Sequence, residues 1–312
     1  MSQVELSVII PVGERSENVV TLYSIYRDAV ARAGLHYEFI FVIDGHYDEI
    51  TQRLKTLKAD GEPLTIINFS RPFGEATAIS AGFQNAKAEL IMTLPAYEQI
   101  IPDEIPTLIQ ACQDPEVDMV TASRRRKDHW FNQLQARMFN RTLGRFADFP
   151  FTDTGCGVRV FRRQVMDEVE IYGDLHRFLP LLAWQQGFQI QEIKVDQAPS
   201  DMFLRLFRPG LYLRRALDLL IAIFLSKFNK RPLRFFGLIG ATATTVGLLG
   251  LVVLIFQRLV LAQSLADRPA LLLCALVLVL GVQLVAIGLV GETIIFTHAR
   301  EIKEYKIREI IN

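Results

Sequence analysis

Two long apolar runs, Phe235 to Phe256 and Ala270 to Phe296, constrain this chain more than any other feature. A helix rising ~1.5 Å per residue needs ~20 apolar residues to cross a hydrocarbon layer ~30 Å thick. Each run reaches that length, and neither holds a Lys, Arg or Asp. The expectation is a two-helix transmembrane hairpin at 235–256 and 270–297. A short extracytoplasmic connector at 257–269 joins the helices, and a tail at 298–312 follows them.

The basic residues orient that hairpin. Arg205, Arg208, Arg214, Arg215, Lys227, Lys230, Arg231 and Arg234 precede the first run, and Arg300, Lys303, Lys306 and Arg308 follow the second, whereas the connector holds only Arg258 and Arg268. An excess of Lys and Arg marks the cytoplasmic side of a span. The amino terminus, Met1 to Glu5, shows no basic segment leading into an apolar one, so no cleaved signal is expected. The soluble domain, 1–200, and both termini are therefore expected in the cytoplasm. Between domain and hairpin, 201–234 mixes Phe and Leu with arginines at near-helical spacing, strongest over Met202 to Phe228, as in helices that lie in a membrane interface.

Lys plus Arg and Asp plus Glu number 34 each, so the net charge is zero. That balance averages a basic membrane-proximal stretch with a more acidic remainder and does not point to nucleic acid. The basic run Arg124 to Lys127 lacks interleaved aromatic platforms, which favours phosphates of a small donor or anionic headgroups over nucleic acid as its partner. Cys112, Cys156 and Cys274 have no paired metal-ligand spacing and read as free thiols. His46, His129, His176 and His298 are too scattered for a metal triad.

Within the soluble domain, short β-rich runs alternate with amphipathic stretches, the pattern of a mainly parallel sheet covered by helices. Strands are expected at Leu6–Val12, Tyr37–Asp44, Leu64–Phe69, Leu90–Leu94 and Met119–Ala122, with helices at Val19–Ala33, Tyr47–Leu57, Glu75–Ala86 and Asp103–Ala111. A helix at Trp130–Phe146, a glycine-rich turn from Asp153 into a short strand, a helix at Arg177–Gln186 and a strand at Gln189–Val195 complete the pattern. Such sheets bind ligands beyond the carboxyl ends of their strands, so Pro11, Asp44, Arg71 and Pro95 mark the expected cleft.

The order of motifs resembles the inverting glycosyltransferase family two, and within it the polyprenyl-phosphate glycosyltransferases, the group of dolichol-phosphate mannose synthase and its bacterial undecaprenyl-phosphate relatives. The resemblance rests on Ser7 to Val12, Val42-Ile43-Asp44-Gly45, Phe73-Gly74 leading to Ala81-Gly82, Asp153 to Arg163, Arg231-Pro232-Leu233 and Gly291-Glu292. It implies a GT-A-like (Rossmann-like) nucleotide-sugar domain in a protein of the inner membrane. The implied reaction is transfer of a sugar from a UDP- or GDP-linked donor to undecaprenyl or dolichyl phosphate. Membrane lipids and further copies of the chain, as in a tetramer, are the other implied partners. The alternative is a catalytically silent scaffold or sugar-nucleotide binder in envelope polysaccharide synthesis.

Carried over residue by residue, the resemblance implies donor contacts at Pro11, Val12, Glu14, Asp44, Arg71, Pro95 and Tyr97, and catalytic roles for Asp153 and Arg159. Arg124, Arg205, Arg208 and Arg215 are the implied contacts of the lipid phosphate. Each has a plainer reading beside it. Asp44 before Gly45 and Asp153 before Gly155 are also turn formers, Arg71 is also a surface ion-pair residue, and arginines beside a membrane also attract generic anionic lipid. Arg162 and Arg163 are further phosphate candidates, Glu292 is expected to reach the interface or an arginine, and Gly281 and Gly288 suggest close helix packing.

Two places depart from the family: after Val12 its usual Asn and acidic residues become Glu14 and Arg15 here, and the second lies at the end of the fourth strand. In the family that strand ends in Asp-x-Asp, whose carboxylates hold Mg²⁺ or Mn²⁺ against the diphosphate, and here the matching residues are Pro95-Ala96-Tyr97. Neither outer side chain supplies a carboxylate ligand. Arginines of the cleft are expected to stand in for the metal, or else activity is weakened or lost. Tyr97 itself either meets the donor or packs against its neighbours.

Overall fold

The computed structural model describes residues 4–13, 15–16, 18–125, 151–153, 155–169, 175–201, 232–260 and 269–298. The chain divides into two compact units, Met1–Leu219 and Leu220–Asn312. The expected helix Trp130–Phe146 and the expected interfacial stretch Met202–Phe228 lie outside the described residues.

Seven strands are present among the described residues of the first unit: β1 (Leu6–Val12), β2 (Tyr37–Ile43), β3 (Leu64–Asn68), β4 (Leu90–Thr93), β5 (Met119–Arg125), β6 (Arg159–Arg162) and β7 (Ile190–Asp196). They form one sheet in the order β3-β2-β1-β4-β6-β5-β7. All neighbours are parallel except at β6, which runs against both β4 and β5. The sheet is mainly parallel, as expected. The reversal at β6 brings its starting end, and the loop 151–158 before it, to the edge where the other strands finish.

Helices α1 (Val19–Ala31), α2 (Asp48–Ala59), α3 (Glu75–Asn85), α4 (Ile105–Cys112), α5 (Arg163–Glu168) and α6 (Leu179–Gln185) cover the sheet. Alternation along the strands builds two cores. Leu6, Val8, Ile10 and Val12 of β1 join Phe39, Phe41 and Ile43 of β2 against α1, α2 and α4, while Ile9, Ile40 and Val42 face α3, α5 and α6. Strands buried on both faces carry apolar side chains at nearly every position, which is why they stand out in the sequence. Each such side chain contributes ~1.5–3 kcal/mol on burial. Gly82 lets α3 lie close to the sheet, since a Cβ there would be 2.5 Å from Ile9 Cγ2.

The departures from the expected boundaries have local causes. β2 stops at Ile43 because Gly45 turns the chain at φ 126°. Pro102 and Pro106 lack an N–H and belong in a first turn, so the helix expected from Asp103 is a 3₁₀ turn, Pro102–Glu104, followed by α4. Likewise Leu175–Phe178 is a 3₁₀ turn ahead of α6, whose first turn holds Pro180. β5 continues past Ala122 to Arg125 because β7 pairs with its whole length. Helix α5 was not anticipated.

In the second unit, α7 (Pro232–Val260) and α8 (Pro269–His298) form the hairpin, both long and apolar enough to cross a membrane. Each starts at a proline, whose fixed φ suits a first turn, and both exceed the expected spans, so Gln257 and Arg258 are helical rather than part of a connector. Glycines bring the pair together: a Cβ on Gly281 would be 2.4 Å from the Thr244 nitrogen, and one on Gly240 would be 2.6 Å from the Gly281 oxygen. Among the described residues Glu292 pairs with no arginine. Its carboxylate accepts from the Leu233 N–H at 3.3 Å and caps the start of α7.

Candidate active site

The carboxyl edge of the sheet carries most of the expected site residues, and two different kinds of support hold them there. On the β1–β3 side the support comes from backbone. Pro11 and Val12 pair with Val42 and Ile43, and the Val12 carbonyl accepts from the Asp44 N–H at 2.8 Å. Asp44 turns its carboxylate onto the next loop, accepting from the N–H groups of Phe73 at 2.6 Å and Gly74 at 2.9 Å. Those amides lie at the amino end of α3, where a negative charge is favoured by the helix dipole. Asp44 occupies them, so they are not open to an external anion. Arg71 is exposed on the same loop, its guanidinium 5.0 Å from the Phe73 ring centroid. Glu14 lies outside the described residues.

Beyond β4, Pro95 and Tyr97 present their carbonyls to the buried Tyr26, whose hydroxyl donates to them at 3.2 and 2.9 Å. The Tyr97 hydroxyl accepts from Gln99 Nε2 at 2.5 Å, and Gln99 Oε1 accepts from the Gly157 N–H at 2.8 Å. Tyr97 is therefore braced from the loop that leads into β6. Over its ring sits the guanidinium of Arg15, 3.5 Å from the centroid.

On the β5–β7 side the support is buried charge. Arg124 Nε and Nη2 donate to the two oxygens of Asp153 at 2.8 and 3.1 Å, and Nη1 donates to Asp201 at 2.7 Å. All three side chains are 3–4 % exposed. Burial opposes the Arg124 charge, but Asp153, Cys156 and Asp201 outweigh it and hold the guanidinium more firmly protonated than usual. Arg124 was expected to meet a lipid phosphate. The structure corrects that: its Nε, Nη1 and Nη2 are all committed to two carboxylates because β5 extends far enough to turn Arg124 inward and Arg125 outward. Asp153 also accepts from the Gly155 N–H at 3.1 Å, so it forms a turn as well as an ion pair. Glu192 of β7 anchors the same loop through the Thr152 and Asp153 N–H groups.

Arg159, expected at a reacting phosphate, is 3 % exposed and donates to the carbonyls of His176 and Arg177. Burial brings its basicity down to about 10, against the pull of Cys156, Glu75 and Asp153. It is a positioning residue for the 175–178 turn. That turn carries His176, whose Nε2 is 3.2 Å from Glu75 at the start of α3. Burial raises the Glu75 carboxyl, yet the His176 hydrogen bond and the charges of His176, Arg177 and Arg159 bring it below the ordinary value. Arg162 and Arg163, the further phosphate candidates, are hydrogen-bonded to backbone carbonyls. They lie at the opposite edge, donating to carbonyls of Val117 and Asp114 and of Ala86 and Ala88 respectively. Arg205, Arg208 and Arg215 lie outside the described residues.

The divalent ion usual in the family does not fit the residues present. Pro95-Ala96-Tyr97 offers no carboxylate, and no group of three or more His, Cys, Asp or Glu among the described residues is arranged to hold a metal. All three cysteines are free; burial pushes Cys156 up to about 11 and Cys112 up to about 12, so both are inert thiols at neutral pH. Sequence reasoning missed Arg15, Gln99, Asp201, Glu75 and His176. Arg15 stands out in the sequence only as a departure from the family pattern, and the contacts that join Gln99 to Gly157, Asp201 to Arg124 and Glu75 to His176 link segments far apart in the chain.

The glycosyl transferase family 2 profile matches residues 7–170. The chain is 27% identical to a dodecaprenyl-phosphate galacturonate synthase of Rhizobium johnstonii, over 100% of this chain and 94% of the relative. It is 30% identical to an undecaprenyl-phosphate 4-deoxy-4-formamido-L-arabinose transferase of Aeromonas hydrophila, over 98% of this chain and 94% of the relative. Among solved structures it is similar to glucosyl-3-phosphoglycerate synthase of Mycobacterium tuberculosis in complex with Mn²⁺, UDP and phosphoglyceric acid. The TM-score is 0.54 at 13% identity, covering 70% of this chain and 77% of that one, a likeness of fold alone. A profile spanning more than half of the sequence, and a 30% identical relative matched over nearly its whole length, agree with the sheet and its loaded carboxyl edge: the chain belongs to glycosyl transferase family 2.

Proposed function

We propose that this protein transfers a sugar from a nucleotide sugar to a polyprenyl phosphate, with inversion at the anomeric carbon. The observation that carries the reading is the alignment, complete through the apolar hairpin, with relatives named for dodecaprenyl- and undecaprenyl-phosphate acceptors. In the reaction an oxygen of the lipid phosphate forms a bond to the anomeric carbon, and the bond from that carbon to the nucleoside diphosphate breaks, its electrons leaving with the diphosphate. The acceptor is already an anion, so no side chain has to remove a proton from it. The leaving diphosphate, in contrast, gains charge and needs positive groups aimed at it.

In this reading α7 and α8 hold the enzyme in the inner membrane with the soluble unit and both termini on the cytoplasmic side. Arg205, Arg208 and Arg215 supply the acceptor-phosphate site, while the Arg124–Asp153–Asp201 network fixes the loop between donor and acceptor. Arg208→Ala and Arg215→Ala should weaken use of the lipid acceptor more than binding of the nucleotide.

The test is transfer of radiolabel from a panel of nucleotide sugars into purified polyprenyl phosphate, with Mn²⁺ and with EDTA. Labelled lipid from at least one donor is the expected result. Binding of a nucleotide without transfer from any donor would favour a catalytically silent binder, the role that loss of the Asp-x-Asp carboxylates also suggests.

A further inference from the structure

We propose that Arg15, seated on the ring of Tyr97, is the resident cation that receives the donor diphosphate where a divalent metal does not fit. The inference rests on the reading above, since it presumes a nucleoside diphosphate as leaving group. Its first support is position. In the order β3-β2-β1-β4 the chain reverses direction of growth between β1 and β4, and open sheets of this kind bind ligands in the crevice outside the carboxyl ends at such a point. Arg15 follows β1 and Tyr97 follows β4, so their stacked pair stands across that crevice.

The second support is the way the guanidinium is held. Its face rests on Tyr97, and Tyr97 is fixed by Tyr26 and Gln99, so the plane of the cation is set before a ligand arrives. Its edge donates to the Ser200 carbonyl at 3.3 Å and to Asp201 Oδ1 at 3.4 Å, both long contacts. Asp201 keeps Arg124 at 2.7 Å and Gln197 at 3.0 Å through its other oxygen, so it stays satisfied if Arg15 turns to a stronger anion. Arg15 is 39 % exposed, against 4 % for Arg124. A planar fork of donors matches two phosphate oxygens at once, which a point charge on a lysine does not.

Titration calorimetry of UDP and of GDP into the purified full-length chain tests this, using wild type, Arg15→Ala, Arg15→Lys and Tyr97→Leu, each with Mn²⁺ and with EDTA. We expect Arg15→Ala to weaken binding about tenfold or more, ~1.4 kcal/mol, with Arg15→Lys and Tyr97→Leu between it and wild type and with little difference between Mn²⁺ and EDTA. Arg15→Ala within about twofold of wild type, or wild-type affinity falling about tenfold in EDTA, overturns the inference. If Arg15→Ala does not fold, wild-type-like binding by both Arg15→Lys and Tyr97→Leu overturns it instead. A wild type that binds a nucleotide but labels no lipid breaks the transfer reading and leaves the cation assignment standing. Binding of neither nucleotide breaks both.

Discussion

The two halves of the sheet's carboxyl edge are built on opposite principles. Around β1–β3, Asp44 is satisfied by two adjacent, exposed backbone amides and keeps its loop in place through them. Around β5–β7, Arg124, Asp153 and Asp201 are almost fully buried and depend on one another across up to 77 positions of sequence. Replacing such a buried network by apolar side chains is often neutral or stabilising, whereas removing one member leaves a charge stranded. Its presence is therefore better explained by what it positions than by what it adds to stability. The backbone-supported half is an ordinary loop closure; the charged half holds the loop 151–158 at a fixed place beside Tyr97.

That contrast breaks most readily at Asp153. Asp153→Ala strands Arg124 with one carboxylate partner in place of two, and the expected loss is about 3–5 kcal/mol of unfolding free energy. The urea-unfolding transition of the first unit measures it. A loss below ~1 kcal/mol would mean that the network behaves as an exposed ion pair, and the distinction between the halves would disappear.

The next effect belongs to the other half and to packing rather than charge. Gly82→Ala places a Cβ 2.5 Å from Ile9 Cγ2, and overpacking of this kind costs about 1–3 kcal/mol. The variant should unfold earlier while its nucleotide affinity stays near that of wild type. Ile9→Ala should cost less in this background than in wild type, since it removes the Cγ2 and Cγ1 atoms that the new Cβ meets.

How visible these halves are in the sequence follows from the same physics. β1 and β2 are apolar at nearly every position because both faces are covered, and the hairpin declares itself by length alone, so both were legible. The reversed β6 was not, because a four-residue strand looks the same in either direction. At the site, Asp44 and Tyr97 were found through strand ends. Arg124 read with its basic neighbours as a phosphate contact, since nothing local shows that β5 continues and turns it toward Asp153 and Asp201. Asp201 and the stacking of Arg15 on Tyr97 depend on contacts across the fold that a single sequence does not display.

Asp44 sharpens the comparison at a smaller scale. Asp44→Ala removes the acceptor for the Phe73 and Gly74 amides, which solvent can partly replace because these groups are exposed. The expected loss is about 1–2 kcal/mol, in the range of a lost helix-end cap, and Asp44→Asn should recover part of it. Thermal unfolding of the three proteins decides. A loss matching that of Asp153→Ala would show that both halves depend on buried charge.

The smallest effect is expected at Glu75, where the two kinds of support meet: its carboxylate is at the start of α3 and its partner His176 is on the turn held by Arg159. The Glu75 side chain is 45 % exposed, so solvent screens the pair and Glu75→Gln should cost less than ~1 kcal/mol near neutral pH. The sign of its pH dependence is fixed. A carboxylate with a folded pKa below its unfolded one adds stability that is complete above the unfolded value of 4.5 and is lost as pH falls through the lowered folded value. The difference between wild type and Glu75→Gln should therefore be present at about pH 7 and shrink toward about pH 3. Urea midpoints at the two pH values measure it, and a difference that grows toward acid would show that His176 is not what holds the carboxylate in its charged form.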